Sequence, residues 1–248
     1  MLNDKLYFDK LKDHVLLEST SGDFYNLAQL KEKLGDKKEA IYTTNRVVQA
    51  SYIESYEQAD TPVIIMDQMI DTHFIARLES ESDLDLKFHG VDSAQLTGLI
   101  DEDASKDVIV DSKDQKNKNE KLTEVFKKHI NGDLEIKIEA LKNSELPAML
   151  VEDETMRRYR EMAKMNSGMD ISKLSEMLSA KQTLIVNKNC PAITKILDFM
   201  NGLTPSKDKE ELLVKYVFDL AKLQQGTLDE KSMVGFVSRS SKVLALLN

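Results

Sequence analysis

Pro62-Val63-Ile64-Ile65-Met66 is apolar from end to end, and the segments around it decide the fold class. A strand with one wet face alternates polar and apolar residues. An unbroken apolar run belongs to a strand covered on both faces, as in a parallel sheet flanked by helices. Upstream, Ala40-Ile41-Tyr42-Thr43 reads as a second strand, and Asn45 is placed to cap a helix running towards Tyr56. Before that, Asn26 can cap a helix carrying Leu27, Leu30 and Leu34, with Gln29 at the capping-box position and Gly35 as the stop. Downstream, Asp71 or Thr72 opens a helix bearing Phe74, Ile75 and Leu78, and Leu86-Lys87-Phe88 is a third strand. Strands alternating with helices predict a small three-layer α/β unit on a short parallel sheet. Ahead of it, Leu6, Tyr7 and Leu11 are spaced for one face of a helix over 4–13. Val15-Leu16-Leu17-Glu18 reads as a strand turned by Ser21-Gly22. So abrupt an opening suggests a fragment.

From Asp92 to about Lys121 the chain is dense in charge and poor in bulky residues, which predicts a solvated linker becoming helix near Leu122. The expected organisation is an α/β unit over 1–95, a charged linker over 96–120 and an α+β domain over 121–248. In the last of these, a helix carries Leu122, Val125, Phe126 and Ile130. Leu134, Ile136 and Ile138 alternate with Glu135, Lys137 and Glu139, as in a strand with one wet face. Pro147–Val151 and Thr183–Asn187 are two more strands, with a methionine-rich helix over about 153–166 between them. Pro191 fits the first turn of a helix ended by Gly202, and two final helices span about 206–225 and 228–247.

The formal net charge is −9, from 34 basic and 43 acidic residues, a balance that opposes binding to nucleic acid or an anionic membrane surface. The single cysteine, Cys190, excludes an internal disulfide, and no Cys/His spacing matches a zinc site. No apolar run approaches the ~18–20 residues of a membrane span, and the start lacks the apolar stretch of a signal peptide. The expectation is a soluble cytoplasmic protein in a reducing compartment.

The last two helices carry more apolar surface than one neighbour requires. In the first, Leu213, Tyr216, Val217 and Leu220 belong to a broad stripe. In the second, Met233, Phe236, Val237, Val243, Leu244 and Leu247 are apolar, with Thr227 and Glu230 spaced as a capping box. Such a pair can meet its two-fold copy as a four-helix bundle, or fold back on its own domain. Met156, Tyr159, Met162, Met165 and Met169 recur every three or four residues, on one helical face and the turn after it. Arg157, Arg158, Arg160, Glu161 and Lys164 take the other faces. Methionine is flexible and polarisable, so an exposed face of this kind adapts to many apolar partners; by spacing alone, core packing is the simpler reading.

The polar candidates are sparse. His14, His73, His89 and His129 have no ligand partner at helical spacing. Asp67 and Asp71 flank a strand end, where active-site carboxylates of α/β folds often sit, although Asp71 serves equally as a helix cap. They define the alternative function, an α/β enzyme or small-molecule-binding domain; a plain dimerisation module is another. No glycine-rich phosphate loop is present.

These segments, in this order, resemble a bacterial, HtpG-type member of the heat-shock protein 90 family. The similarity rests on Ala40-Ile41-Tyr42-Thr43-Thr44, on Val63-Ile64-Ile65-Met66-Asp67 followed by Ile70-Asp71, on Leu146–Val151 and the methionine helix, on Thr183–Pro191, and on the ending from Gln225-Gly226-Thr227-Leu228. The stretch 92–121 matches weakly. The resemblance implies the end of a middle domain followed by a C-terminal dimerisation domain. The last two helices would form the homodimer bundle, and the methionine helix would lie exposed and contact non-native client proteins, reversing the core reading. It also implies that ATP and magnesium act in an upstream domain, leaving this chain without catalytic, cofactor or metal sites. Many relatives have histidine at the position of Cys190, which is given no role. The acidic tail that docks co-chaperones in eukaryotic relatives does not follow Leu247-Asn248.

Overall fold

The computed structural model describes residues 5–247 apart from 82–83, 97, 107–111, 131, 133, 166–181 and 202–205; the side chains of 105–106, 112–117, 163–165, 200–201 and 247 are also outside the description. By contacts the chain divides into two units, Met1–Gly98 with Glu154–Ile171, and Leu99–Asp153 with Ser172–Asn248. The methionine helix therefore groups with the first half of the chain, although the sequence places it inside the second.

The first unit is built on three parallel strands in the order β4 (Val63–Ile65), β3 (Glu39–Thr43), β5 (Lys87–Gly90), with Tyr42 opposite Ile64 and Ala40 opposite Phe88. The parallel sheet read from the apolar run is present. Alternate residues along a strand face opposite ways. Ala40, Tyr42, Ile64 and Phe88 enter one core with Leu27, Leu30 and Leu34 of α2 (Leu27–Leu34) and Ile75 and Leu78 of α4 (Asp71–Glu79). Ile41 and Val63, pointing the other way, are also buried, as are Tyr52 and Tyr56 of α3 (Ala50–Gln58). Helix α2 begins with the expected capping box, in which Asn26 and Gln29 bond reciprocally at 2.9 Å. Asn45 instead closes a turn, its Oδ1 accepting from the amides of Val47 and Val48, and α3 starts only at Ala50. The strand expected over 15–18 shortens to β1 (Leu17–Glu18), which pairs antiparallel with β2 (Phe24–Tyr25) around Gly22, whose φ of 87° suits glycine. In α1 (Lys5–Leu11) the buried residue is Phe8, edge-on to Phe74 with ring centroids 6.4 Å apart, while Leu6 and Tyr7 are exposed. So short a helix presents hardly two turns, and one aromatic settles its orientation.

The second unit starts earlier than composition suggests. Leu99 is buried, Ile100 bridges Leu141, the short α5 (Glu102–Lys106) follows, and α6 (Ser112–His129) is helical from its charged beginning. Lysine, glutamine and glutamate are good helix formers, so a highly polar stretch reads as a linker until a downstream apolar face fixes it. The sheet runs β6 (Glu135–Glu139), β8 (Gln182–Asn187), β7 (Ala148–Glu152), parallel then antiparallel. One core joins Ile136, Ala148, Leu150, Leu184 and Val186 to α6, to α8 (Pro191–Asn201) and to α9 (Lys207–Gln225), which contributes Val214, Val217 and Ala221. Helix α9 starts at the Ser206 cap and stops at Gly226 with φ 70°. The last helix, α10 (Glu230–Leu244), is capped by Asp229, whose side chain accepts from Ser232 N at 2.8 Å, and not by the Thr227–Glu230 box. The Thr227 hydroxyl is turned back to the end of α9, donating to Lys222 O.

Candidate functional site

Helix α7 (Glu154–Met165) carries the methionine stripe, and arginine determines which face it buries. Arg157 is 1% exposed. Its Nε lies 3.2 Å from Glu154 Oε2, and its Nη1 lies 3.5 Å from Asp92 Oδ1 and 3.9 Å from Glu161. The guanidinium stacks over the Tyr42 ring at 4.6 Å, and Nη2 donates to the Tyr42 hydroxyl. Asp92 Oδ1 and Arg157 Nη1 both lack a hydrogen bond of good geometry, so this contact is an ion pair only. Arg158 grips Glu79 with two bonds of 2.7 and 3.0 Å and also reaches Phe88 O at 2.7 Å; Arg160 meets Asp92 at 3.0 Å. A buried charge persists only when paired and bonded in this way.

Gly90 makes room for the pairing. A Cβ there would sit 2.2 Å from Arg157 Nε and 2.8 Å from its Cδ, while the Gly90 amide donates to Glu154 Oε2 at 2.9 Å. Burial by itself would raise the Glu154 carboxyl. The Arg157 charge, the Gly90 amide and the arginine hydrogen bonds outweigh it and hold the group below the usual carboxylate range. Glu79 behaves alike, burial being overcome by Arg158 and the Phe88 amide. Burial pushes the Tyr42 phenol up, against the opposing pull of Arg157.

With the arginines turned in, α7 turns Tyr159 and Met162 out, 57% and 45% exposed. They border a groove of about 530 Å³ whose other walls include His73, Glu79, Lys87 and Arg158. Met156 is half-buried. The side chain of Met165, and Met169 altogether, lie outside the described residues. Tyr159 and Met162 of the stripe are thus surface here, against the simpler reading of its spacing.

The terminal helices form the second surface. Tyr216 and Phe236 stack on each other with centroids 5.6 Å apart and planes 8° from parallel, and Arg239 Nε meets the buried Asp219 at 2.5 Å. Val217 is buried within the chain's own core, which removes it from the candidate interface. Leu213, Leu220 and Val243 are half-buried; Met233, Val237 and Leu244 are exposed, together with Leu223 and Val234. No residue of α10 is fully buried, although Met233, Val234, Phe236, Val237, Val243 and Leu244 are apolar. The Leu247 side chain is outside the description.

Of the remaining candidates, Asp67, Asp71 and His129 are engaged, while His89 Nδ1 is buried without a hydrogen bond among the described residues. Asp71 Oδ2 accepts from Gln68 N at 2.9 Å, and Asp67 Oδ1 accepts from the Gln68 side chain at 2.6 Å. Burial raises the Asp71 carboxyl despite that amide. His129 lies 2.7 Å from Glu210, and Cys190 is buried in the second core. Among the described residues no group of histidine, cysteine, aspartate and glutamate could hold a metal ion, and no helix is long and apolar enough to cross a membrane.

The sequence matches the family model of the Hsp90 protein over residues 1–247. The chain belongs to the Hsp90 family. Among its relatives, the chaperone protein htpG of Bacteroides fragilis (strain 638R) is 26% identical over 248 residues, covering 93% of this chain and 35% of that protein. The chaperone protein HtpG of Bacteroides thetaiotaomicron is 24% identical, covering 80% and 30%, and that of Porphyromonas gingivalis (strain ATCC 33277) is 25% identical, covering 79% and 29%. The chain spans about a third of the length of these relatives. The Arg157 anchor was missed because arginines interleaved with a methionine stripe look like a solvated face. Their only sequence signal was three arginines within four residues beside Glu154 and Glu161.

Proposed function

We propose that this chain is the homodimerising, client-contacting part of a cytoplasmic chaperone whose ATP-driven steps, with their magnesium, belong to the rest of such a protein. The family match and the names of its relatives support the chaperone class. The observation that carries the dimer is α10, a helix with an apolar face that the chain itself does not bury, with no residue buried and with Val234 71% and Leu244 65% exposed. An isolated helix of this length is marginal in water unless its apolar face is covered. A two-fold copy of the α9–α10 pair would cover it as a four-helix bundle. Permanent association would keep two copies of any attached domain at high effective concentration, so that a clamp can close repeatedly without dissociating. Tyr159 and Met162, with Met156 beside them and Met165 and Met169 following in sequence, would offer non-native chains an adaptable surface that binds weakly and releases readily.

Light scattering tests the dimer. The whole chain should have the mass of a dimer, and a chain ending at Gln225 that of a monomer; a monomeric whole chain refutes it. Binding of a destabilised client should fall severalfold in Tyr159→Ser/Met162→Ser with the fold intact, and unchanged binding would remove the client surface. The enzyme alternative gains no support, because Asp67 and Asp71 are engaged in closing the turn between β4 and α4.

A further inference from the structure

A second groove of about 530 Å³ lies on the first unit, between the β1 segment and the turn from β4 into α4. Leu16 is 62% and Phe24 57% exposed, and Ile70 is exposed on the opposite wall. Its floor includes Leu17 and Met66, both part of the buried core, so the trough is backed by packed structure. Its rim carries Glu18, Asp67 and Asp71, and no lysine, arginine or histidine is among the described residues that line it. Scattered apolar residues on a surface are ordinary. A contiguous apolar trough ringed by charge of one sign marks an interaction site.

We infer that this groove docks a polypeptide segment of a partner that is apolar and cationic, its aliphatic or aromatic side chains seated between Phe24, Leu16 and Ile70 and its Lys or Arg groups facing Glu18 and Asp67. Charge complementarity selects that occupant. An acidic segment would be repelled by three carboxylates, and an uncharged one would leave them unpaired at the edge of a closing interface. Asp67 and Asp71 are held in place through Gln68, and Glu18 is the exposed residue of β1. The surface is separate from the Tyr159–Met162 face, so the inference stands or falls apart from the client reading.

The test is fluorescence anisotropy with the full chain and a short labelled peptide of alternating lysine and leucine or phenylalanine, set against the same peptide with glutamate for lysine. The cationic peptide should bind and the acidic one should not. Phe24→Ser and Ile70→Ser, both changes at exposed positions, should each weaken binding about tenfold. Glu18→Gln/Asp67→Asn should weaken it severalfold and flatten its dependence on salt. Val47→Ser, at an exposed apolar site outside the groove, should leave it unchanged. Equal binding of both peptides, or indifference to all the groove variants, overturns the inference. So does self-association that Phe24→Ser abolishes, which would assign the groove to a second copy of the chain.

Discussion

Truncating Arg157 should release helix α7 from the first unit while leaving the second unit's core intact. Arg157→Ala removes a guanidinium that is 1% exposed and lies within 4 Å of Glu154, Asp92 and Glu161, as well as its stacking on Tyr42. Removing one partner from a buried ion pair costs about 3–5 kcal/mol, because the other charge stays buried. Here Arg158 still holds Glu154 at 2.7 Å and Arg160 still holds Asp92 at 3.0 Å, which places the cost at the lower end, about 3 kcal/mol. At about 1.4 kcal/mol per factor of ten, the amides of α7 that exchange by local opening should exchange about 100-fold faster. Hydrogen exchange read segment by segment is the suitable assay, since one melting curve would blend two units. Amides of β8 should keep their protection. Arg157→Lys, which keeps the charge and loses the fork, should fall between the wild type and the alanine variant. A change below about threefold in α7 would show that the network is not what docks the helix. An equal loss in α7 and β8 would show that Arg157 acts on the whole fold.

Related outcomes follow from the same network and from the terminal helices. Gly90→Ala should lower stability by about 1–3 kcal/mol through overpacking against Arg157, and Gly90→Ala/Arg157→Ala should cost clearly less than the sum of the two, as a double-mutant cycle by denaturation of the first unit would show. Glu154 and Glu79 are held below their unfolded values, so their stabilisation is complete above the ordinary carboxylate range, near pH 4.3, and disappears as pH falls through the lower folded values. Exchange in α7 should therefore accelerate on acidification before that in β8. In Arg157→Ala the Glu154 part of this dependence should be much reduced. Tyr42→Phe, which removes the hydroxyl between Glu154 and Arg157, should cost about 1–3 kcal/mol, measured by urea denaturation. Val237→Glu/Leu244→Glu should give a folded monomer by light scattering, with far-UV circular dichroism showing that the helices persist.

Much of the fold was legible because local patterning and tertiary demand coincide. An unbroken run such as Val63-Ile64-Ile65 has only a sheet covered on both faces to occupy. The alternation of Leu134, Ile136 and Ile138 and the Asn26–Gln29 capping box act over a few residues and were legible, whereas the caps read at Asn45 and Thr227 gave way to tertiary context. The strand order β4-β3-β5 and the middle place of β8 depend on pairings across the chain that no local pattern encodes. Helix α7 shows the division most clearly. Periodicity determined that Met156, Tyr159 and Met162 share a side of α7, but a helix with apolar residues on one side and arginines on the other can bury either. Only the tertiary structure supplied Asp92, Tyr42 and the bare backbone of Gly90 to bury Arg157, and Glu79 to hold Arg158, from positions at least 64 residues away, leaving Tyr159 and Met162 outward.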